Sequence, residues 1–63
     1  NGDRYVGEFK ADKKNGKGTL FFASGAKFIG TFKDGKRNGE GTLYASSGSI
    51  EREGRWKDDV FVD

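Results

Sequence analysis

The strongest constraint on how this chain folds is that it repeats itself. Gly2, Gly25 and Gly48 stand 23 residues apart. Laying residues 2–24 over 25–47 without a gap gives eleven identities in 23 positions: Gly2/Gly25, Gly7/Gly30, Phe9/Phe32, Lys10/Lys33, Lys13/Lys36, Asn15/Asn38, Gly16/Gly39, Gly18/Gly41, Thr19/Thr42, Leu20/Leu43 and Ser24/Ser47. Five further pairs are conservative: Arg4/Lys27, Tyr5/Phe28, Val6/Ile29, Lys14/Arg37 and Phe21/Tyr44. A fixed period of this size marks one supersecondary unit that buries its apolar side by stacking on copies of itself. A third unit starts at Gly48 but slips, because Gly54 and Trp56 fall 24 residues after Gly30 and Phe32. One residue has therefore been inserted, and a β-bulge near residues 50–53 is expected to absorb it. The units are 2–24, 25–47 and a degenerate or capping 48–63. The chain starts at Asn1, inside the pattern, which predicts a piece of a longer protein.

Within a unit the period is two. Tyr5, Gly7 and Phe9 share one face of an extended segment, and Arg4, Val6, Glu8 and Lys10 share the other. The return segment alternates likewise, with Gly18, Leu20 and Phe22 against Lys17, Thr19 and Phe21. Asn15-Gly16 and Asn38-Gly39 favour positive φ and are read as the tight reversals of two hairpins. Ser24-Gly25 and Ser47-Gly48 mark the returns between units. In the third unit the corresponding slot reads Val60-Phe61-Val62-Asp63, so the turn signal is lost there and a terminal cap or a different element is expected. The predicted fold is all-β: a single-layer, twisted antiparallel meander of β-hairpin repeats with five or six short strands.

Glycine inside a strand normally weakens it, so a repeated one implies close approach by something bulky. Gly7, Gly18, Gly30 and Gly41 share the ring-bearing face. Their bare α-carbons are expected to receive the rings of the next hairpin, fixing the register. Tyr5, Phe9, Phe28, Phe32 and Trp56 are the predicted core.

These residues carry a specific likeness. The run from Gly25 through Phe28, Gly30, Phe32, Gly35, Gly39 and Gly41 to Leu43 resembles a MORN repeat: aromatic, glycine, aromatic, a turn glycine, then Gly-x-Gly and a strand. Gly2 through Leu20 matches except that Asp12 stands in the turn-glycine slot. The third unit keeps Gly54 and Trp56 but has Arg52 in an aromatic slot and Asp59 at the turn glycine. The resemblance implies a hairpin array of the kind associated with membrane lipids and sometimes joined to enzymes.

Composition narrows the chemistry. There is no His and no Cys, which removes the commonest general base, the thiol nucleophile, disulfides and the usual zinc ligands. Catalytic residues, cofactor and metal are each expected to be none. Gly16-Lys17-Gly18-Thr19 lacks the spacing of a phosphate loop, and its copy puts Glu40 at the lysine position. The carboxylates Asp58, Asp59 and Asp63, with Glu51 and Glu53, show no calcium-loop spacing. No apolar run is long enough to span a bilayer and no signal peptide is recognised. The absence of Cys leans to a reducing, cytoplasmic setting, though the sequence leaves the compartment unknown. Net charge is +2. Residues 1–47 carry nine basic and five acidic side chains (+4), and 48–63 carry three and five (−2).

Two surfaces remain. On the face opposite the rings, Val6, Phe21, Ile29 and Tyr44 form an apolar stripe that a single-layer sheet exposes unless something covers it. A protein partner, a helix of the parent protein, a second copy, or Val60-Phe61-Val62 folding back are the candidate covers. The other surface is the repeated basic segment, Lys13, Lys14, Lys17, Lys36 and Arg37, expected to stack into a cationic ladder facing anionic lipid headgroups; ordinary solvation is its plain alternative, and Glu40 interrupts it. The expected function is a non-catalytic module for protein–protein interaction, scaffolding or self-association. Peripheral binding to an anionic membrane is the second reading. Nucleic acid is disfavoured, because the rings are committed to packing.

Overall fold

The computed structural model describes residues 2–62 as one six-stranded antiparallel sheet in sequence order: β1 (Arg4–Lys10), β2 (Lys13–Phe21), β3 (Lys27–Lys33), β4 (Lys36–Tyr44), β5 (Ile50–Lys57) and β6 (Val60–Phe61). The expected meander is what the chain forms. Asp63 lies outside the described residues.

The hairpin turns are not where Asn-Gly suggested. The chain reverses at Ala11-Asp12, Asp34-Gly35 and Asp58-Asp59, each a two-residue loop with both φ values positive: 51° and 66°, 52° and 85°, 50° and 71°. That is the mirror-image turn whose twist suits a hairpin, and Asp or Gly tolerates it best. Lys10 then faces Lys13, and Lys33 faces Lys36. Asn15-Gly16 and Asn38-Gly39 sit inside β2 and β4. There the register jumps from Gly7↔Gly18 to Phe9↔Lys14, and from Gly30↔Gly41 to Phe32↔Arg37. Gly16 and Gly39 do use positive φ, 94° and 97°, but in a bulge rather than a turn. The third unit keeps its turn after all, closing through two aspartates onto β6, with Trp56↔Phe61 and Lys57↔Val60. The inserted residue is Glu51: Leu43 faces Arg52 while Tyr44 faces Ile50, a bulge where the spacing required one.

Pairing brings Gly7, Gly18, Gly30, Gly41 and Gly54 into one row across five strands. A Cβ on Gly41 would overlap the Phe28 ring, and one on Gly18 the Tyr5 ring. Each ring thus nests on the return strand of its own hairpin, not of the next one. Between hairpins the contact is ring to ring. Phe9, Tyr5, Phe32, Phe28, Trp56 and Phe61 follow one another edge to face with centroids 4.9–5.3 Å apart, the arrangement that the ring quadrupole favours. Phe28, Phe32 and Trp56 are buried, with Tyr5, Leu20, Phe22, Leu43 and Phe61 packed against them. Phe9, expected in the core, is 60% exposed. It lies on the outer strand, where no following ring covers it.

Candidate functional site

Opposite the rings the sheet shows its second face as three rows. The first is Arg4, Phe21, Lys27, Tyr44, Ile50; the second is Val6, Thr19, Ile29, Thr42, Glu53. The third places Lys17 beside Thr31 and Glu40 beside Arg55. Val6, Phe21, Ile29 and Tyr44 are therefore brought onto one face, but staggered between rows and not continuous. Arg4 lies over the Phe21 ring at 5.1 Å and Lys27 over Tyr44 at 5.2 Å, so cations cover part of both rings. Val6 and Ile29 remain 57% and 42% exposed. Ile50, which sequence reasoning did not single out, extends the patch beside Tyr44. Its place on this face depends on the Glu51 bulge, which shifts its pairing.

Between the second and third rows runs an open groove floored by glycine backbone. One stretch, about 480 Å³, lies between Val6, Thr19 and Ile29 on one side and Lys17, Thr31 and Glu40 on the other. A second, about 370 Å³, continues over Glu40, Gly41, Thr42, Glu53 and Gly54. The glycine row makes this groove for the same reason that it seats rings behind it: side chains are missing along a whole line. Local hydrogen bonds stiffen its walls. Glu8 Oε1 accepts the Lys17 N–H at 2.8 Å, and the Thr31 hydroxyl donates to the carbonyl of Asn38. On the ring side, Tyr5 donates its hydroxyl to the Glu8 carbonyl at 2.9 Å. Burial, and then the negative charge of Glu8, raise the Tyr5 pKa above its ordinary value of 10.0. Val60-Phe61-Val62 does not fold across this face. Phe61 packs on Trp56 on the ring side, and Val60 and Val62 are exposed.

The basic ladder is divided between faces. Lys14 and Arg37 turn to the ring side, Lys14 over Tyr5 at 5.8 Å and Arg37 over Trp56 at 4.9 Å. Arg37 is also tied to Asp59, through Nε to Oδ1 at 3.1 Å and an Nη2 bond to the Asp59 carbonyl at 3.1 Å. A guanidinium used in this way is not free for lipid. Lys13, Lys17 and Lys36 stay exposed on the second face. Sequence reasoning passed over Lys10, Lys33 and Lys57, which the pairing places beside Lys13, Lys36 and Val60. The Asn-Gly signal hides them, because it points four residues past the actual turns at Ala11-Asp12 and Asp34-Gly35. Among the described residues no group of three or more acidic side chains is arranged to hold a metal, and the Gly16-Lys17-Gly18-Thr19 run is strand, not a loop. No helix among the described residues is long and apolar enough to cross a membrane.

No curated protein matches the chain closely enough to count as a relative. The profile of the MORN repeat matches it twice in succession, at residues 5–27 and 28–50, the same 23-residue spacing that the glycines show. MORN repeats are in general non-catalytic modules of protein or membrane interaction. With most of its length accounted for by two adjacent units, the chain belongs to the MORN repeat family.

Proposed function

We propose that this chain is a non-catalytic protein-binding and scaffolding module, and that it engages another protein or a second copy of itself through the glycine-floored groove. The observation that carries the reading is the exposure of Val6 and Ile29 at the wall of that groove, in a sheet whose last strand, β6, extends the edge and turns its Phe61 ring to the other side. Exposed aliphatic side chains beside backbone accessible from a groove are what an extended or helical partner segment can bury. Lys17, Glu40 and Glu53 line the groove, with Arg55 beside Glu40 on the next strand, a mixture of charges that suits a polypeptide better than a uniformly anionic surface.

The test is light scattering at several concentrations on the wild type and on the Val6→Ser/Ile29→Ser double variant, which removes the apolar wall of the groove. A lower oligomeric mass in the variant supports self-association through this face; an unchanged mass with retained fold removes it. A membrane reading has one observation of its own. Lys10 opposite Lys13, and Lys33 opposite Lys36, are like-charged pairs that each cost about 0.2–1 kcal/mol in a sheet and gather cations at the turn end. Sedimentation with acidic liposomes separates the two. Lys13→Glu/Lys36→Glu abolishes pelleting if the turn end binds lipid and leaves self-association untouched.

A further inference from the structure

The two junctions between hairpins share one backbone contact and differ in the contacts that one arginine makes with one aspartate and one ring. At β2–β3 the Gly35 N–H donates to the Lys14 carbonyl at 2.9 Å; at β4–β5 the Asp59 N–H donates to the Arg37 carbonyl at 3.0 Å. These are equivalent atoms, one repeat apart. At the second junction Arg37 adds its guanidinium to the Asp59 carboxylate and lies over the Trp56 ring. At the first, Gly35 offers no carboxylate, and the residue in the arginine position is Lys14. Arginine goes with aspartate and lysine with glycine.

The outer strand β1 has a neighbour on one side only among the described residues. Its turn carries Asp12, at φ 66° against 71° for Asp59, and its ring is Phe9. Phe9 is 60% exposed, whereas its equivalents Phe32 and Trp56 are 4% and 5% exposed. Among the described residues nothing donates to the Asp12 carboxylate. The open edge therefore holds both halves of the Arg37 seat, a carboxylate and a ring face, without an arginine in them.

We infer that the β1 edge is a selective docking site for the return strand of another MORN-type hairpin, one with arginine immediately before its Asn-Gly, which Asp12 and Phe9 receive as Asp59 and Trp56 receive Arg37. The edge supplies the backbone hydrogen bonds that any strand would take. The Asp12–Phe9 pair supplies the choice, since a guanidinium can bond a carboxylate and stack on a ring together, which an ammonium does poorly. This surface is separate from the groove and stands or falls independently of it.

The test is an NMR titration of the labelled protein with a synthetic hairpin copying residues 26–45. The expected result is shifts confined to β1 and its turn, and affinity reduced about threefold or more, the scale of a single exposed charge pair, by Arg37→Lys in the peptide or by Asp12→Gly in the protein. Combining the two should add little to either. Because a free hairpin is marginally stable, the same cycle is also run on a fusion with residues 25–47 placed ahead of Gly2, read by urea midpoint. Equal tolerance of lysine and arginine in both formats overturns the proposal. So does a β1 edge occupied by a second copy of the chain that the peptide fails to displace.

Discussion

Single atoms decide much in this molecule because so few side chains are buried. Gly41 and Gly35 show the contrast. An added Cβ at Gly41 meets the Phe28 ring, while at Gly35 it meets nothing within 4 Å. Gly41→Ala is therefore expected to cost about 1–3 kcal/mol by overpacking. Gly35→Asp places a residue that the sister turns already hold at Asp12 and Asp59, so its cost is confined to the left-handed backbone, at most about 1–2 kcal/mol. Urea midpoints of the two variants check the pair. Tyr5 gives a pH-dependent case. Its pKa is raised in the fold, so the stability it contributes is fully present below pH 10 and is lost as pH climbs through the raised value. Tyr5→Phe should lower the neutral-pH stability by about 0.5–1.5 kcal/mol through loss of the hydroxyl bond. It should also flatten the alkaline limb of a stability–pH curve.

At the scale of strands and turns, what could be read from the sequence followed from spacing, and what could not followed from local turn chemistry. The bulge in β5 was legible because Gly48-to-Gly54 is one residue longer than Gly25-to-Gly30, and a period-two strand can absorb that only by leaving a residue unpaired. The glycine row was legible for a similar reason. The turns were misplaced because Asn-Gly is the stronger hairpin signal in isolation, whereas Ala11-Asp12 contains no glycine at all. Positive φ was correctly required at Gly16 and Gly39, but two structures use it, a turn and a bulge, and sequence alone did not separate them. The groove was not visible either, since it depends on the Lys17 and Glu40 rows lying across from Val6 and Ile29. If Glu51 only takes up slack, deleting it should restore the 23-residue register and change stability by less than about 1 kcal/mol. A circular dichroism melt of the deletion checks this; loss of the fold would mean that the bulge is required.

The whole molecule is one layer of sheet with a row of rings on one side and a groove on the other. Both depend on the same five glycines. The chain is 63 residues long, and among the described residues three large apolar side chains are buried, Phe28 alone completely, so its stability is concentrated in a few contacts, as expected for small domains without disulfides or metals. Trp56→Ala removes two ring contacts, the indole bond to the Gly41 carbonyl at 3.2 Å and the platform under Arg37. A loss of about 3–5 kcal/mol is expected, enough to leave the isolated chain largely unfolded at room temperature by far-ultraviolet circular dichroism. The seating of rings on bare α-carbons is best tested by the proton chemical shifts of the glycine Hα atoms. Gly18 and Gly41 should show Hα signals moved well upfield by the Tyr5 and Phe28 rings, with the Gly41 shift reverting in Phe28→Leu. Unfolded-like Hα shifts at both glycines in a folded sample would contradict the account.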